Sequence, residues 1–365
     1  MSLDTGVRFQ LPPDRSADRP PEARGLARDQ VRLLVAGAGR HADSGTPAVT
    51  ASPYAIRHSR FADLARFLRS GDLVVVNDSA TLSAALDAVH ADGRSAAVHL
   101  STQLDDGTWV VEVRPATDAH GPMLGLRAGD RLNLPRGVTL TLRRPYPDPS
   151  TPVPRLWTAT APVTSPLAYL RRHGRPITYD YLVGRWPLEA FQTIFARSPG
   201  SAEMPSAARP FTPRVVSSLR RAGVMLASVT LHTGVSSPEA GEPPMPERFT
   251  VPSDTTRLVD VTKRTGGRLI AVGTTVTRAL ESVARPDGSL TAGSGWTDLV
   301  LSRSRPAYVV DGLISGWHAP GASHLSLLEA VAGAGLVSAA YDAALAGDYL
   351  WHEFGDSCLL LPAAE

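Results

Sequence analysis

Three side chains in this sequence stand where proton transfer could be carried out. His318 follows the run Val309–Ile314, and His232 follows Val224–Leu231. Both runs read as buried strands. Open α/β sheets place ligands at the carboxyl ends of their strands. Imidazole is the side chain that changes charge near neutral pH. Glu247 lies in the Pro-rich stretch Pro243-Pro244-Met245-Pro246, which reads as a loop. Histidine and carboxylate together are the usual acid–base pair. Each residue also has a plainer reading: a packed histidine, or an exposed acid.

Other residues could hold a ligand. Gly273-Thr274-Thr275 follows the strand Arg268–Val272 and opens a helix. Its amides and hydroxyls could bind a polar group, or simply cap the helix. Asn77-Asp78 ends the apolar run Leu73–Val76, at the ligand edge or as a turn cap. Arg278 could hold an anion or pair with its helix neighbour Glu281. Trp296, Trp317 and Phe354 offer aromatic faces to a cation or a planar ring, with core packing as the alternative.

These residues need a frame. Leu73–Val76 is apolar throughout, as a strand covered on both faces would be. Val31–Ala36 reads as a strand, and Phe61–Leu68 has helical spacing. From about residue 80 to 160, short runs recur between turn signals: Ala97–Leu100, Thr108–Val113, Arg131–Leu134, Val138–Leu142 and Leu156–Thr160. That texture predicts a small antiparallel barrel. After Pro166, helical and strand patterns alternate again. Helices are predicted over Thr212–Ala222, Thr255–Arg264, Thr275–Val283, Leu325–Ala334 and Leu336–Ala346, with a last strand at Ser357–Leu361. The fold class is therefore α/β: a mostly parallel sheet domain (1–78 and 161–365) with a small antiparallel β-barrel domain inserted at 79–160.

Composition narrows the functions. The chain has 365 residues, 43% hydrophobic and 20% charged, with a formal net charge of only +2. A surface built to hold a long nucleic acid usually carries more clustered basic charge. The pairs Arg143–Arg144, Arg171–Arg172 and Arg220–Arg221 are short and scattered. The single cysteine, Cys358, sits in an apolar run and reads as a buried thiol. With no disulfide, no apolar leader and no stretch of membrane-span length, the expectation is a cytoplasmic protein with no membrane partner. The stretch from Gly37 to Ala42 matches G-x-G-x-x-A. The residues after it, Asp43-Ser44-Gly45-Thr46-Pro47, do not open a helix, so a loop is expected rather than a dinucleotide site. No phosphate loop or zinc-type spacing is present, and no metal is expected.

Several segments resemble, in order, those of the S-adenosylmethionine:tRNA ribosyltransferase-isomerase family. Arg28-Asp29-Gln30-Val31-Arg32-Leu33-Leu34-Val35 is similar to its R-D-x-x-R-L-L-V, and Gly71–Asp78 to G-D-L-L-V-V-N-D. Phe191–Arg197 resembles Y-Q-T-V-Y-A, with Pro199-Gly200-Ser201 coming next as in the family. Val229–Gly234 resembles V-T-L-H-V-G, and Ala271–Glu281 resembles A-V-G-T-T-S-V-R-T-L-E. Gly295-Trp296-Thr297-Asp298 matches G-W-T-D, while His318-Ala319-Pro320 and Phe354-Gly355-Asp356 resemble H-L-P and Y-G-D. The resemblance spans nearly the whole chain. It implies an α/β domain with an inserted barrel, and S-adenosylmethionine as co-substrate. The sulfonium acidifies C5′, adenine and methionine leave, and the ribosyl part rearranges onto the aminomethyl group of a 7-deazaguanine in tRNA. It implies His318, Glu247 and His232 as catalytic candidates. Trp296, Trp317 and Phe354 would line the sulfonium or adenine, Asp298 and Asp356 would take the methionine ammonium, and Arg278 its carboxylate.

The sequence departs from the family at motif positions. Ala80 and Ala85 stand where arginines are expected, and arginine is the natural fork for phosphate. Pro205-Ser206-Ala207-Ala208-Arg209 lacks a family histidine and brings in Arg209, and His324 is likewise new. A second reading therefore keeps the donor but transfers to a small-molecule acceptor, or cleaves the donor without tRNA. A third is a non-catalytic ligand-binding relative.

Overall fold

The computed structural model describes residues 6–38, 53–116, 121–235 and 243–363. In chain order, β1 (Arg32–Ala38), β2 (Tyr54–Arg60) and β3 (Leu73–Asn77) come first. Short β4 (Ser79–Thr81) leads to β5 (Ala85–His90), β6 (Ser95–Gln103), β7 (Trp109–Pro115), β8 (Arg131–Leu134), β9 (Val138–Tyr146) and β10 (Leu156–Thr160). Then come α1 (Pro166–His173), β11 (Ser198–Ser201), α2 (Pro213–Arg221), β12 (Met225–Leu231), β13 (Glu247–Val251) and α3 (Ser253–Arg264). The chain ends through β14 (Leu269–Val272), α4 (Thr274–Glu281), β15 (Gly293–Thr297), β16 (Gly312–Gly316), α5 (His324–Ala332), α6 (Ala334–Ala346) and β17 (Ser357–Leu361).

Nine strands form one sheet in the order β15-β13-β12-β3-β14-β16-β17-β1-β2. Its centre, β12-β3-β14-β16, is parallel, as is the β17–β1 pair. The remaining pairings are antiparallel, so the sheet is mixed. Strands β2, β13 and β15 were not legible as apolar runs. They lie at the sheet's flanks and combine exposed with half-buried positions, as strands with a solvated face do. Successive residues of the inner strands serve opposite faces. Leu34, Leu73, Val75, Leu269 and Leu313 face a core shared with α4, α5 and α6. Leu33, Val74, Val76, Ile270 and Ile314 face another, closed by Phe61, Leu64, Phe211 and α2. Phe61–Arg66 is a 3₁₀ helix rather than an α-helix. Its buried Phe61 and Leu64 are three residues apart, a spacing that serves the tighter helix equally well.

Six further strands close a barrel, β10-β7-β6-β5-β8-β9, with every pairing antiparallel. The chain leaves the sheet at β3 for the barrel and returns through β11. Strands β4 and β11 pair in parallel, Ser198 with Ser79, so exit and return are tied beside the sheet. Gly37 and Ala38 lie in β1, whose neighbour β2 is antiparallel rather than reached by a helical crossover. The loop expected after them lies outside the described residues. Among the described residues, no single helix is long and apolar enough to cross a membrane.

The strand predicted over Val309–Ile314 begins only at Gly312. Glu281, 2% exposed, accepts the N–H groups of Tyr308, Val309 and Val310 at 2.8, 2.9 and 3.2 Å. Arg305 pairs with the same carboxylate at 3.4 Å. These backbone donors are thus removed from the ladder. Glu281→Ala would strand them in the interior and should lower unfolding stability by about 3 kcal/mol or more, read by urea denaturation. An unchanged midpoint would show that this loop is held by other contacts.

His99 on β6 is 3% exposed, and its Nδ1 has no hydrogen-bond partner among the described residues. Burial, with Arg114 adding to it, pushes the imidazole down to about 3. The unfolded chain protonates His99 near 6.5 while the folded chain does not, so stability falls as pH drops through that window. The slope from this one residue is at most about 1.4 kcal/mol per pH unit. His99→Phe should flatten the acid side of the stability profile between about pH 6.5 and 4, measured as urea midpoints against pH.

Candidate active site

The carboxyl ends of β12, β14 and β16 open onto a cavity of about 520 Å³, with residues near the barrel as its other wall. His318, Glu247, Gly273, Thr274, Thr275, Arg278 and Trp317 all line it. These seven come from separate stretches of chain. The parallel centre of the sheet brings all but Glu247 to one edge, and antiparallel β13 supplies Glu247.

His318 is fixed by its backbone. Its N–H donates to the Tyr341 hydroxyl at 3.2 Å, and its carbonyl accepts the Trp351 indole N–H at 3.0 Å. Its Nε2 lies 3.0 Å from Ser315 Oγ, and its ring stacks on His324 at 4.5 Å with planes 3° apart. Burial, then the neighbouring His324, holds His318 well below the usual imidazole range, so it is neutral at pH 7. A tautomer that donates from Nε2 to Ser315 leaves Nδ1 unprotonated.

Glu247 does not sit in a loop as expected. It is the first residue of β13, paired opposite Thr297 of β15. The three prolines before it cannot donate to a ladder, but β13 begins after them. Its carboxylate accepts the Gly234 N–H at 3.1 Å and pairs with Arg278. Burial pushes its carboxyl up, and Arg278 opposes this. Arg278 makes no pair with Glu281. It donates instead to the carbonyls of Thr297 at 2.9 Å, Leu299 at 3.1 Å and Met245 at 3.3 Å, besides Glu247. Gly273 caps α4 at φ 91°, a backbone conformation open mainly to glycine. It aims the first turn of α4 at the cavity.

The other candidates lie away from the cavity wall. The Asn77 amide donates to Leu231 O at 2.8 Å and Thr275 Oγ1 at 3.3 Å, and its oxygen accepts from Leu231 and Ser79 N–H. Asp78 accepts the Thr230 hydroxyl at 2.6 Å. His232 Nδ1 meets Ser79 Oγ at 2.7 Å, which meets Ser201 Oγ at 2.6 Å. A Cβ on Gly200 would come within 2.4 Å of that ring, so only glycine allows the contact. Arg209 donates to Ala190 O, pairs with Glu22 at 2.9 Å and lies over Phe354 at 4.7 Å, tying down the N-terminal arm. Burial pushes its pKa down to about 10. Phe354 is 1% exposed, in a small core with Phe191 and Met204. Asp356 accepts the N–H groups of Arg32 at 2.7 Å and Leu350 at 2.9 Å. Trp296 donates to Asp105 at 3.0 Å and Asp298 is exposed.

The cavity also contains residues that sequence reasoning did not single out. The Tyr179 phenol donates to Glu203 and that of Tyr181 to Glu353, with His352 stacked on Tyr181. The partners are 24 and 172 residues apart, so no local spacing signals them. Among the described residues, no three His, Cys, Asp or Glu side chains group as metal ligands.

Arg278→Met would leave Glu247 buried without its cation and three carbonyls without a donor. It should cost about 3–5 kcal/mol by urea denaturation. Glu247→Gln keeps an acceptor for Gly234 and should cost clearly less. Equal losses would show that the pair itself, rather than the loop carbonyls, dominates.

The sequence model of the family described as "Queuosine biosynthesis protein" matches residues 5–360. An S-adenosylmethionine:tRNA ribosyltransferase-isomerase from Thermus thermophilus is 32% identical over 97% of this chain and 98% of its own. One from Sphingopyxis alaskensis is 30% identical over 97% and 95%. The crystal structure of S-adenosylmethionine tRNA ribosyltransferase from Thermotoga maritima superposes with a TM-score of 0.52 at 27% identity, covering 97% of this chain and 99% of that one. With matches spanning nearly the whole chain, it belongs to the queuosine biosynthesis family, the family of the S-adenosylmethionine:tRNA ribosyltransferase-isomerases.

Proposed function

We propose that this protein transfers the ribosyl part of S-adenosylmethionine to a deazaguanine base in tRNA, with loss of adenine and methionine. One observation carries the reading: a neutral, backbone-anchored His318 shares a cavity with the Arg278–Glu247 pair and the N-terminus of α4. That set answers what the donor requires. A sulfonium makes its C5′ hydrogens acidic, so a neutral imidazole can take one, and His318 Nδ1 is the acceptor. The amides and hydroxyls of Thr274 and Thr275 suit the donor's polar oxygens. Trp317, buried against Tyr341 and Trp351, offers an aromatic wall to the sulfonium. Glu247 faces the same space and is ion-paired with Arg278.

The acceptor is tRNA in this reading. Ala85, one of the positions where the family motif has arginine, is fully buried in β5. Phosphate contacts must come from elsewhere on the surface.

Mass spectrometry of the products tests the proposal. Purified protein would receive S-adenosylmethionine with and without tRNA bearing the deazaguanine. Adenine and methionine released only with tRNA is the expected result. Donor consumed without tRNA would replace this reading with the small-acceptor one. His318→Ala should lower turnover at least ~100-fold with the fold intact. Because His318 titrates well below 6.5, its exchange of the donor's C5′ hydrogens with deuterium from solvent should hold steady from pH 8 to below 6.5 and fall only at lower pH. A fall centred above 6.5 would remove His318 from the role of base.

A further inference from the structure

One wall of the cavity is used by none of the groups assigned so far. It is formed by Tyr179, Tyr181, Glu203, His352 and Glu353. Tyr181 is stacked on His352 at 4.1 Å with planes 12° apart, and on Tyr179 at 6.1 Å and 26°. The result is a column of three rings. Each phenol donates to one carboxylate, Tyr179 to Glu203 and Tyr181 to Glu353. A carboxylate has about four lone-pair directions, so a single phenol leaves Glu353 able to accept more.

Among the described residues no cation forms an ion pair with Glu353. Arg209, whose charge acts weakly on it, is engaged by Glu22 and Ala190 O. Arg114 lies over Tyr179 at 5.2 Å with its guanidinium held by Glu112. Burial pushes Glu353 up to about 7, and Glu203 adds to this while Tyr181 opposes it. A carboxylate in that position gains from any cation that reaches it. A second feature of the same cavity also points to a ligand. Trp317 is 2% exposed, and its indole N–H has no hydrogen-bond partner among the described residues. A buried donor of this kind can be met by an acceptor atom of a ligand in the cavity.

We propose that Glu353, with the Tyr179–Tyr181–His352 column, seats the protonated primary amine of the acceptor and takes the proton that this amine must lose. The assignment rests on the ribosyl-transfer reading and adds its acceptor half. An alkylammonium has no lone pair and cannot attack carbon. Proton transfer from nitrogen to the Glu353 carboxylate gives the neutral amine and a carboxylic acid. The freed lone pair then forms the bond to the ribosyl carbon, while the donor's bond to adenine breaks with its electrons leaving on the base. The stacked rings offer the planar part of the acceptor a face beside the carboxylate. His318 and Glu353 thus divide the proton transfers, one for the donor and one for the acceptor.

Calorimetric titration with two free bases tests this: 7-aminomethyl-7-deazaguanine and 7-methyl-7-deazaguanine, which lacks only the amine. The wild-type protein should prefer the amine at least ~10-fold, the scale of one hydrogen bond to a charged group. Glu353→Gln, nearly isosteric, should abolish the preference. His352→Ala should weaken both probes alike and keep the preference, since it removes a ring and no charge. Equal binding of the two probes by wild type, failure of wild type to bind the amine, or a preference that survives in E353Q would each overturn the proposal. The wild-type comparison decides even if a variant does not fold. Titration with S-adenosylmethionine is the separate readout for the donor. Its failure would count against ribosyl transfer, whereas equal probe binding with donor binding intact would sink the amine seat alone.

Discussion

The guanidinium of Arg278 is the contact on which the cavity depends. It projects from α4 and is 5% exposed. Its N–H groups reach carbonyls at Met245, Thr297 and Leu299 and the carboxylate of Glu247. A guanidinium carries five donors in a rigid fork, and here they span two loops and two strands. Without it, the segments leading into β13 and out of β15 would have buried acceptors and no donor. A buried charge so fully used is costly to bring in from water and costlier still to lose. One side chain thus shapes the pocket and sets its electrostatics.

A second constraint places the barrel. The chain departs from the end of β3, the same edge to which the parallel strands deliver their loops. The short β4–β11 ladder ties departure and return together, and the Ser79–Ser201–His232 contacts fasten that ladder to the end of β12. Asn77 completes the join by bonding β12, α4 and β4 at once. The histidine and asparagine that resemble family site residues make these contacts at the join. They determine where the two walls of the cavity meet.

The cavity's chemistry is set by how its walls treat charge. Burial favours neutral imidazole at His318 and drives carboxyl groups at Glu247 and Glu353 upward. Arg278 restrains Glu247, while no cation pairs with Glu353 among the described residues. Two carboxylates within one pocket are thereby set to different tasks by their neighbours, one structural and ion-paired, one ready for a cation or a proton. In the proposed reaction the cationic donor and the cationic acceptor would each shed a proton there.

Much of this protein was determined by its residue order. The inner strands were legible because burial on both faces demands continuous apolar runs, as in Leu73–Val76 and Ser357–Leu361. The barrel was legible from short runs between turns, and the family resemblance pointed to His318, Glu247 and Arg278. The flanking strands β2, β13 and β15 were not, because a half-solvated strand leaves no continuous apolar signal. The strand after Val309 could not be timed, since a carboxylate from α4 intercepts its amides. Only the tertiary structure decided which motif residues meet in the cavity. His232, Asn77, Arg209 and Asp356 are drawn into frame contacts, while Tyr181 and Glu353 enter the cavity from 172 residues apart. Hydrogen bonds and ion pairs act over about 3 Å in space, and sequence spacing constrains that distance only within a helix turn or a hairpin. Residues joined by the folding of a sheet against a barrel carry no such trace.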